Sequence, residues 1–192
     1  NPLDAKSVSD NMGKYGCSIL FGTPSFLANY TRRCKKEDFS KLRLVLVGAE
    51  KLNANTAKDF FEKFGILPTE AYGATELAPG VSFNAPVKIW ELGKKHLRDN
   101  SVGRPLPGIQ IKTVNPDTLE DLENGEAGLL LVRSPGTMRG YLNDPDRTNA
   151  VLKNGWYISG DIASIHRDGS IQLQGRLSRF SKIAGEMVPH GA

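Results

Sequence analysis

Apolar residues recur along the first half of the chain at two spacings. Ala5, Val8, Met12 and Tyr15 follow the helical period, and Gly16 stands where a C-terminal glycine ends a helix. Cys17 to Phe21 reads as a buried strand, after which Thr23 and Pro24 fit an N-cap and a first helical position. The helix they open would turn Leu27, Tyr30 and Cys34 to the core. Leu42 to Val47 is almost continuously apolar, as in a parallel strand covered on both faces, and stops at Gly48-Ala49-Glu50. Ala57, Phe60, Phe61 and Phe64 then give a third helical stripe, with Asn53 or Asn55 as cap and Gly65 as stop. A further buried strand leads into Glu70-Ala71-Tyr72-Gly73-Ala74-Thr75-Glu76.

From Pro79 to about Asn100 no pattern holds, and the expectation is a loop or irregular cover, with Trp90 used for packing. Beyond it the period changes to two. Ile109, Ile111 and Thr113 alternate, Asn115-Pro116-Asp117 turns, and Gly128 to Val132 is strand-like. Asp168-Gly169 between Ile162–His166 and Ile171–Gln174 marks a hairpin. The fold class predicted is α/β: a parallel-strand βαβαβ segment, then a small antiparallel barrel or twisted sheet. The α/β part, 1–100, gives way near residue 100 to the β-rich part, 101–176, with 177–192 after it.

Composition narrows the picture little. The 192 residues are 39% hydrophobic and 24% charged, as in a globular protein. No apolar run approaches the ~18 residues of a membrane helix. The net charge of +4 comes from scattered basic residues apart from Arg32-Arg33 and Lys35-Lys36, so a solvated face is favoured over a nucleic-acid surface. Cys17 and Cys34 lack metal-ligand spacing and suit reduced thiols in a cytoplasmic setting; His96, His166 and His190 are dispersed. Asn1-Pro2 and the run to Ala192 suggest a segment of a longer chain.

The chemistry is expected at Glu70–Glu76, a turn at a strand's carboxyl end, where open α/β sheets bind ligands. Tyr72 offers a flat face to a base, and Gly73 allows close backbone approach. Thr75 can donate to a phosphate oxygen, and Glu76 can hold a divalent cation. Right-handed crossovers place Gly48–Glu50 at the same sheet edge. Asp161, at the end of Gly155–Asp161, could accept two hydrogen bonds from a ribose diol, and one hairpin returns Arg176 to its neighbourhood.

These stretches, with Gly22-Thr23-Pro24, Leu42-Arg43 to Glu50, Gly125-Glu126 to Gly140-Tyr141 and Gly175-Arg176 to Gly185, resemble in order the acyl-adenylate-forming ligases. That superfamily includes acyl-CoA synthetases, peptide-synthetase adenylation domains and firefly luciferase. The resemblance implies an enzyme that joins a carboxylate to AMP from ATP with Mg²⁺, then passes the acyl group to a thiol. It implies that Gly48, Ala49, Glu50, Glu70, Ala71 and Tyr72 border the adenine, with Tyr72 stacked on it. Gly73 and Ala74 belong to the same binding stretch. Thr75 would contact the α-phosphate, Glu76 hold Mg²⁺, Asp161 bind the ribose with help from Arg176, and Lys182 serve the thioester half-reaction.

Gln174-Gly175-Arg176, Arg179-Phe180 and Lys182–Val188 further resemble the bacterial bifunctional 2-acylglycerophosphoethanolamine acyltransferase/acyl-[acyl carrier protein] synthetases. This implies a fatty acid substrate and an acyl carrier protein or CoA as acceptor, with any membrane association of a bacterial parent lying outside the segment. Two family features, the phosphate loop and the lid lysine, are not found in the segment, and Ser178 stands at the pivot position. The segment alone is therefore expected to be inactive. A non-catalytic nucleotide-binding module and a basic nucleic-acid-binding domain are the competing readings.

Overall fold

The computed structural model describes residues 1–86, 88, 91, 93–183 and 186–189. The chain divides into two compact units. One comprises Asn1–Tyr72 with Phe83–Asp99, and the other Gly73–Ser82 with Asn100–Ala192.

In the first unit, α1 (Ala5–Tyr15) is capped by the Asp4 carboxylate, which accepts from the Ser7 N–H, and closes on Gly16 in the left-handed region. Strand β1 (Ile19–Gly22) leads through the Thr23 cap into α2 (Pro24–Arg33), where Thr23 Oγ1 accepts from the Phe26 N–H. Next come β2 (Leu44–Val47) and α3 (Ala54–Phe64), whose cap is Asn53 and whose stop is Gly65 at φ 77°. The following strand is β3 (Thr69–Gly73).

β1, β2 and β3 run parallel, with Ile19 opposite Leu44 and Val47 opposite Glu70. The β-α-β-α-β order is the one the hydrophobic pattern predicts. The core gathers Leu27, Tyr30, Phe39, Val45, Phe60 and Phe64, and Phe64 packs its ring 4.6 Å from Phe39 and 4.7 Å from Phe60.

Three details differ from the sequence expectation. β1 is not buried throughout: Leu20 is inside while Ile19 and Phe21 are exposed, the period-two pattern of a strand covered on one face. Phe61 lies at the margin of the α3 stripe and is exposed. The motif Glu70–Glu76 is also not all turn. Glu70 to Gly73 form most of β3 itself, which pairs with β2 from Thr69 onward.

The second unit carries a strand inside the region expected to be irregular. β4 (Gly80–Phe83) pairs with β5 (Arg104–Pro105), the Leu106 N–H donating to Val81 O at 2.8 Å. Trp90 lies outside the described residues.

The antiparallel sheet comprises β6 (Gln110–Val114), β7 (Gly128–Arg133), β9 (Trp156–Ile165) and β10 (Ile171–Arg176), in the order β10-β9-β7-β6. Helix α4 (Pro145–Val151) and the short β8 (Leu152–Lys153), which pairs with β9, lie between β7 and β9 on the chain. β7 is buried on both faces, and Val114, Leu129, Leu131 and Ile162 form one core cluster. The predicted hairpin joins β9 to β10, with Gly169 at φ 79°.

The sheet is irregular where the site lies. β7 advances two residues from Leu129 to Leu131 while β9 runs four, from Ile158 opposite Leu131 to Ile162 opposite Leu129. Gly160, within this bulge, has φ 74°, a conformation that favours glycine. A final hairpin pairs β11 (Phe180–Ile183) with β12 (Glu186–Pro189). Among the described residues, no helix is long and apolar enough to cross a membrane.

Candidate nucleotide site

The predicted site residues fall into both units. In the first, β2 ends at Gly48, whose N–H donates to Gly22 O at 3.3 Å. A Cβ at Gly48 would lie 3.2 Å from Ala71 O, so the β2–α3 loop passes close against β3. Ala49 is held at φ 68°, at a cost of roughly 1–2 kcal/mol for a residue with a Cβ. The Glu50 carboxylate accepts from the Ser25 hydroxyl at 2.6 Å.

Glu70, half-buried on β3, has its carboxyl pushed above the ordinary range by burial, partly offset by His96 and by the Leu52 N–H. Tyr72 is buried. Gly48, Ala71 and Glu70 are thus drawn to one end of the parallel strands, as the crossover argument requires.

In the second unit, Ala74 precedes a 3₁₀ turn, Thr75–Leu77, that presents Thr75 exposed and Glu76 partly exposed. The requirement for glycine at 73 is met inside the chain. A Cβ there would sit 1.8 Å from Pro79 O, the carbonyl that accepts the Ala74 N–H at 3.0 Å. The sequence expectation assigned that close approach to a ligand, whereas the chain's own turn occupies it.

Glu76 does not stand alone. The Tyr141 hydroxyl donates to its Oε1 at 2.6 Å, and its backbone carbonyl accepts the Met138 N–H at 2.8 Å. The Tyr141 hydrogen bond, helped by Glu76's own N–H and by Tyr157, holds the Glu76 carboxyl below its usual range, so it is anionic at neutral pH. Tyr157, buried on β9, has its phenol pushed up to about 12, first by burial and then by the Glu76 charge.

Further along β9, Asp161 Oδ1 lies 3.0 Å from Arg176 Nε, with the two side chains 12% and 59% exposed respectively. Arg176 also donates through Nη1 to Ser159 O at 3.1 Å. The Ser159 hydroxyl donates to Leu130 O at 2.7 Å and accepts the Asp161 N–H at 3.0 Å, which fixes the bulge that carries the aspartate. The register places Arg176 directly opposite Asp161. The proximity expected from one hairpin is therefore found.

Ser178 is exposed in the 3₁₀ turn Leu177–Arg179, and Lys182 faces Met187 across the β11–β12 ladder. Ala184 and Gly185 of the same stretch lie outside the described residues. The sequence pattern assigns no role to Tyr141 or Tyr157. Both belong to stretches that carry the family resemblance, but they reach Glu76 from 65 and 81 positions away (141 − 76 and 157 − 76).

Residues 1–142 match the family described as AMP-binding enzyme. The chain belongs to that family. Its place among the acyl-adenylate-forming ligases is seen in its relatives. It is 31% identical over 188 residues to the long-chain-fatty-acid–CoA ligase of Salmonella typhimurium, covering 96% of this chain and 32% of that protein. A feruloyl-CoA synthase from Amycolatopsis sp is 30% identical over 175 residues, 89% of this chain and 34% of that one.

Among solved structures, ATP-bound MatB from Rhodopseudomonas palustris superposes with a TM-score of 0.81 at 26% identity, over 97% of this chain and 36% of that one. The amide bond synthetase McbA from Marinactinospora thermotolerans gives 0.80 at 27% identity, covering 97% and 37%. This AMP-binding chain spans about a third of the length of the relatives it matches.

Among the described residues no group of three or more His, Cys, Asp or Glu could hold a metal ion. Nucleotide-bound Mg²⁺ needs no such cage, since it takes one or two carboxylates together with phosphate oxygens and water. Glu76, anionic and partly exposed beside Thr75, meets that requirement.

Proposed function

We propose that the chain is part of an ATP-dependent acid–thiol ligase acting on a fatty acid. The observation that carries this reading is the Glu76 carboxylate, kept charged on a partly exposed turn next to the Thr75 hydroxyl, in a chain of the AMP-binding family. In the reaction, a carboxylate oxygen of the acid bonds to the α-phosphorus of ATP as pyrophosphate leaves. A thiol then bonds to the acyl carbon as AMP leaves.

Residues of the first unit, Gly48, Ala49, Glu50, Glu70, Ala71 and Tyr72, supply the adenine contacts, with the Tyr72 ring as the stacking face. In the second unit, Gly73 and Ala74 shape the turn, and the Thr75 hydroxyl donates to an α-phosphate oxygen. Asp161 accepts from the ribose hydroxyls while Arg176 keeps it oriented, and Lys182 assists the thioester step. Mg²⁺ held by Glu76 would neutralise charge developing on the phosphate oxygens.

The long-chain-fatty-acid–CoA ligases among the relatives favour CoA as the acceptor. The Lys182–Val188 stretch favours an acyl carrier protein, with its identical phosphopantetheine arm. Fatty-acid-dependent ATP–pyrophosphate exchange by the full-length parent protein tests the first half-reaction. Mass analysis of products with CoA and acyl carrier protein in competition decides the acceptor. Glu76→Gln should lower exchange by about 10²-fold or more, as expected for losing a preorganised charge-stabilising group, and raise the Mg²⁺ requirement. Exchange with normal rate and Mg²⁺ dependence in that variant would leave Glu76 a structural residue.

A further inference from the structure

We infer that Tyr141 is a positioning residue for Glu76, fixing which way the carboxylate presents its oxygens to a nucleotide-bound divalent cation. The inference rests on the metal role of Glu76 proposed above and concerns a residue to which that role assigns nothing.

A glutamate on a short exposed turn has three rotatable bonds and would sample many directions, so a metal would have to order it on binding. Here the order is already present. The Tyr141 hydroxyl donates to Oε1 at 2.6 Å, short for a neutral donor and typical of a hydroxyl bound to a carboxylate.

Tyr141 is itself held at two other points. Its backbone N–H donates to the Thr148 hydroxyl at 2.9 Å, and that hydroxyl donates to Asp144 O at 2.8 Å, on the cap of α4. Its ring lies under the Arg147 guanidinium, 4.2 Å from the centroid. Gly140 allows the chain to enter this arrangement, since a Cβ there would meet the Thr148 side chain at 2.8 Å. The first turn of α4 thus sets the tyrosine and the tyrosine sets the glutamate. A hydroxyl suits this role, because it binds the anion without adding a charge that would compete with the cation.

A residue that acts only on stability would change folding without changing the need for metal. A positioning residue should raise the Mg²⁺ concentration required. In the full-length parent protein, Tyr141→Phe keeps the ring and its guanidinium contact and removes only the hydroxyl. The expected result is a rise of about tenfold in the KM for Mg²⁺ in acid-dependent pyrophosphate exchange, larger than any fall in kcat. Thr148→Ala, which frees the Tyr141 backbone without touching Glu76, should raise the same KM by less, and it decides the question if Tyr141→Phe does not fold. In a Glu76→Gln background, Tyr141→Phe should add no further change, because the two residues act as one unit.

An unmoved Mg²⁺ KM in Tyr141→Phe and Thr148→Ala, with Glu76→Gln still raising it, overturns the positioning role and leaves the metal reading standing. An unmoved Mg²⁺ KM in Glu76→Gln overturns both. Additive effects in the double variant also count against the positioning role.

Discussion

Arg176→Ala should destabilise the second unit more than Asp161→Asn does, although both remove the same ion pair. The asymmetry comes from exposure. Without Arg176, the Asp161 charge remains in a site where its side chain is only 12% exposed; without the Asp161 charge, Arg176 at 59% exposure is simply hydrated. Breaking a fully buried pair from the wrong side costs ~3–5 kcal/mol, and the residual exposure of Asp161 together with its other interactions reduces this to about 2 kcal/mol. The reverse change removes a partner from a mostly solvated arginine and should cost roughly 0.5–1 kcal/mol.

For a chain of this size each kcal/mol moves the Tm by about 2–4 °C, so the shifts should be roughly 4–8 °C for Arg176→Ala and about 1–4 °C for Asp161→Asn. Calorimetric melting gives both. Titration calorimetry with AMP on the full-length protein supplies an independent readout, because the proposed ribose contact is lost with the aspartate charge. Asp161→Asn should weaken AMP about tenfold, the value of a charged hydrogen bond. Equal melting shifts, or a larger one for Asp161→Asn, would refute the burial argument. Unchanged AMP affinity would refute the ribose assignment.

Two further outcomes follow from the structure. Gly73→Ala places a Cβ 1.8 Å from Pro79 O and should lose ~3 kcal/mol or more by chemical denaturation. Gly65→Ala has open space and only the strain of φ 77°, and should lose ~1 kcal/mol; equal losses would contradict the turn geometry. Glu70 has a carboxyl raised by burial, so the fold favours its protonated form. Its contribution is fully present below the unfolded value of ~4.3 and is lost as pH rises through the raised folded value. Glu70→Gln should therefore raise the Tm at pH 7 and leave it little changed at pH 3, and an equal gain at both would sink the assignment.

The parts of the fold that were legible are those governed by short-range rules. Thr23-Pro24, Asn53 and Gly65 set their helix ends by local hydrogen bonding and backbone freedom, and each does so in the structure. The Asp161–Arg176 pairing was legible because one hairpin with a recognisable turn fixes the register between them. β4 was not, since Gly80-Val81-Ser82-Phe83 is too short to show a period and follows Pro79, which reads as a loop signal. The Glu76–Tyr141 bond was not legible either. It joins two turns 65 positions apart, and no periodicity relates side chains that meet through loops.

The irregular stretch of β9 has a consequence for chain length. Loops usually accept an added or missing residue, but between Tyr157 and Asp161 the spacing itself carries information. The bulge fits four steps of β9 against two of β7. Deleting one residue there would turn Asp161 through half a strand repeat, away from Arg176, and would shift Ile162 out of its place opposite Leu129. Homologous sequences should therefore vary in residue type at the outward positions of this segment more readily than in the number of residues it contains.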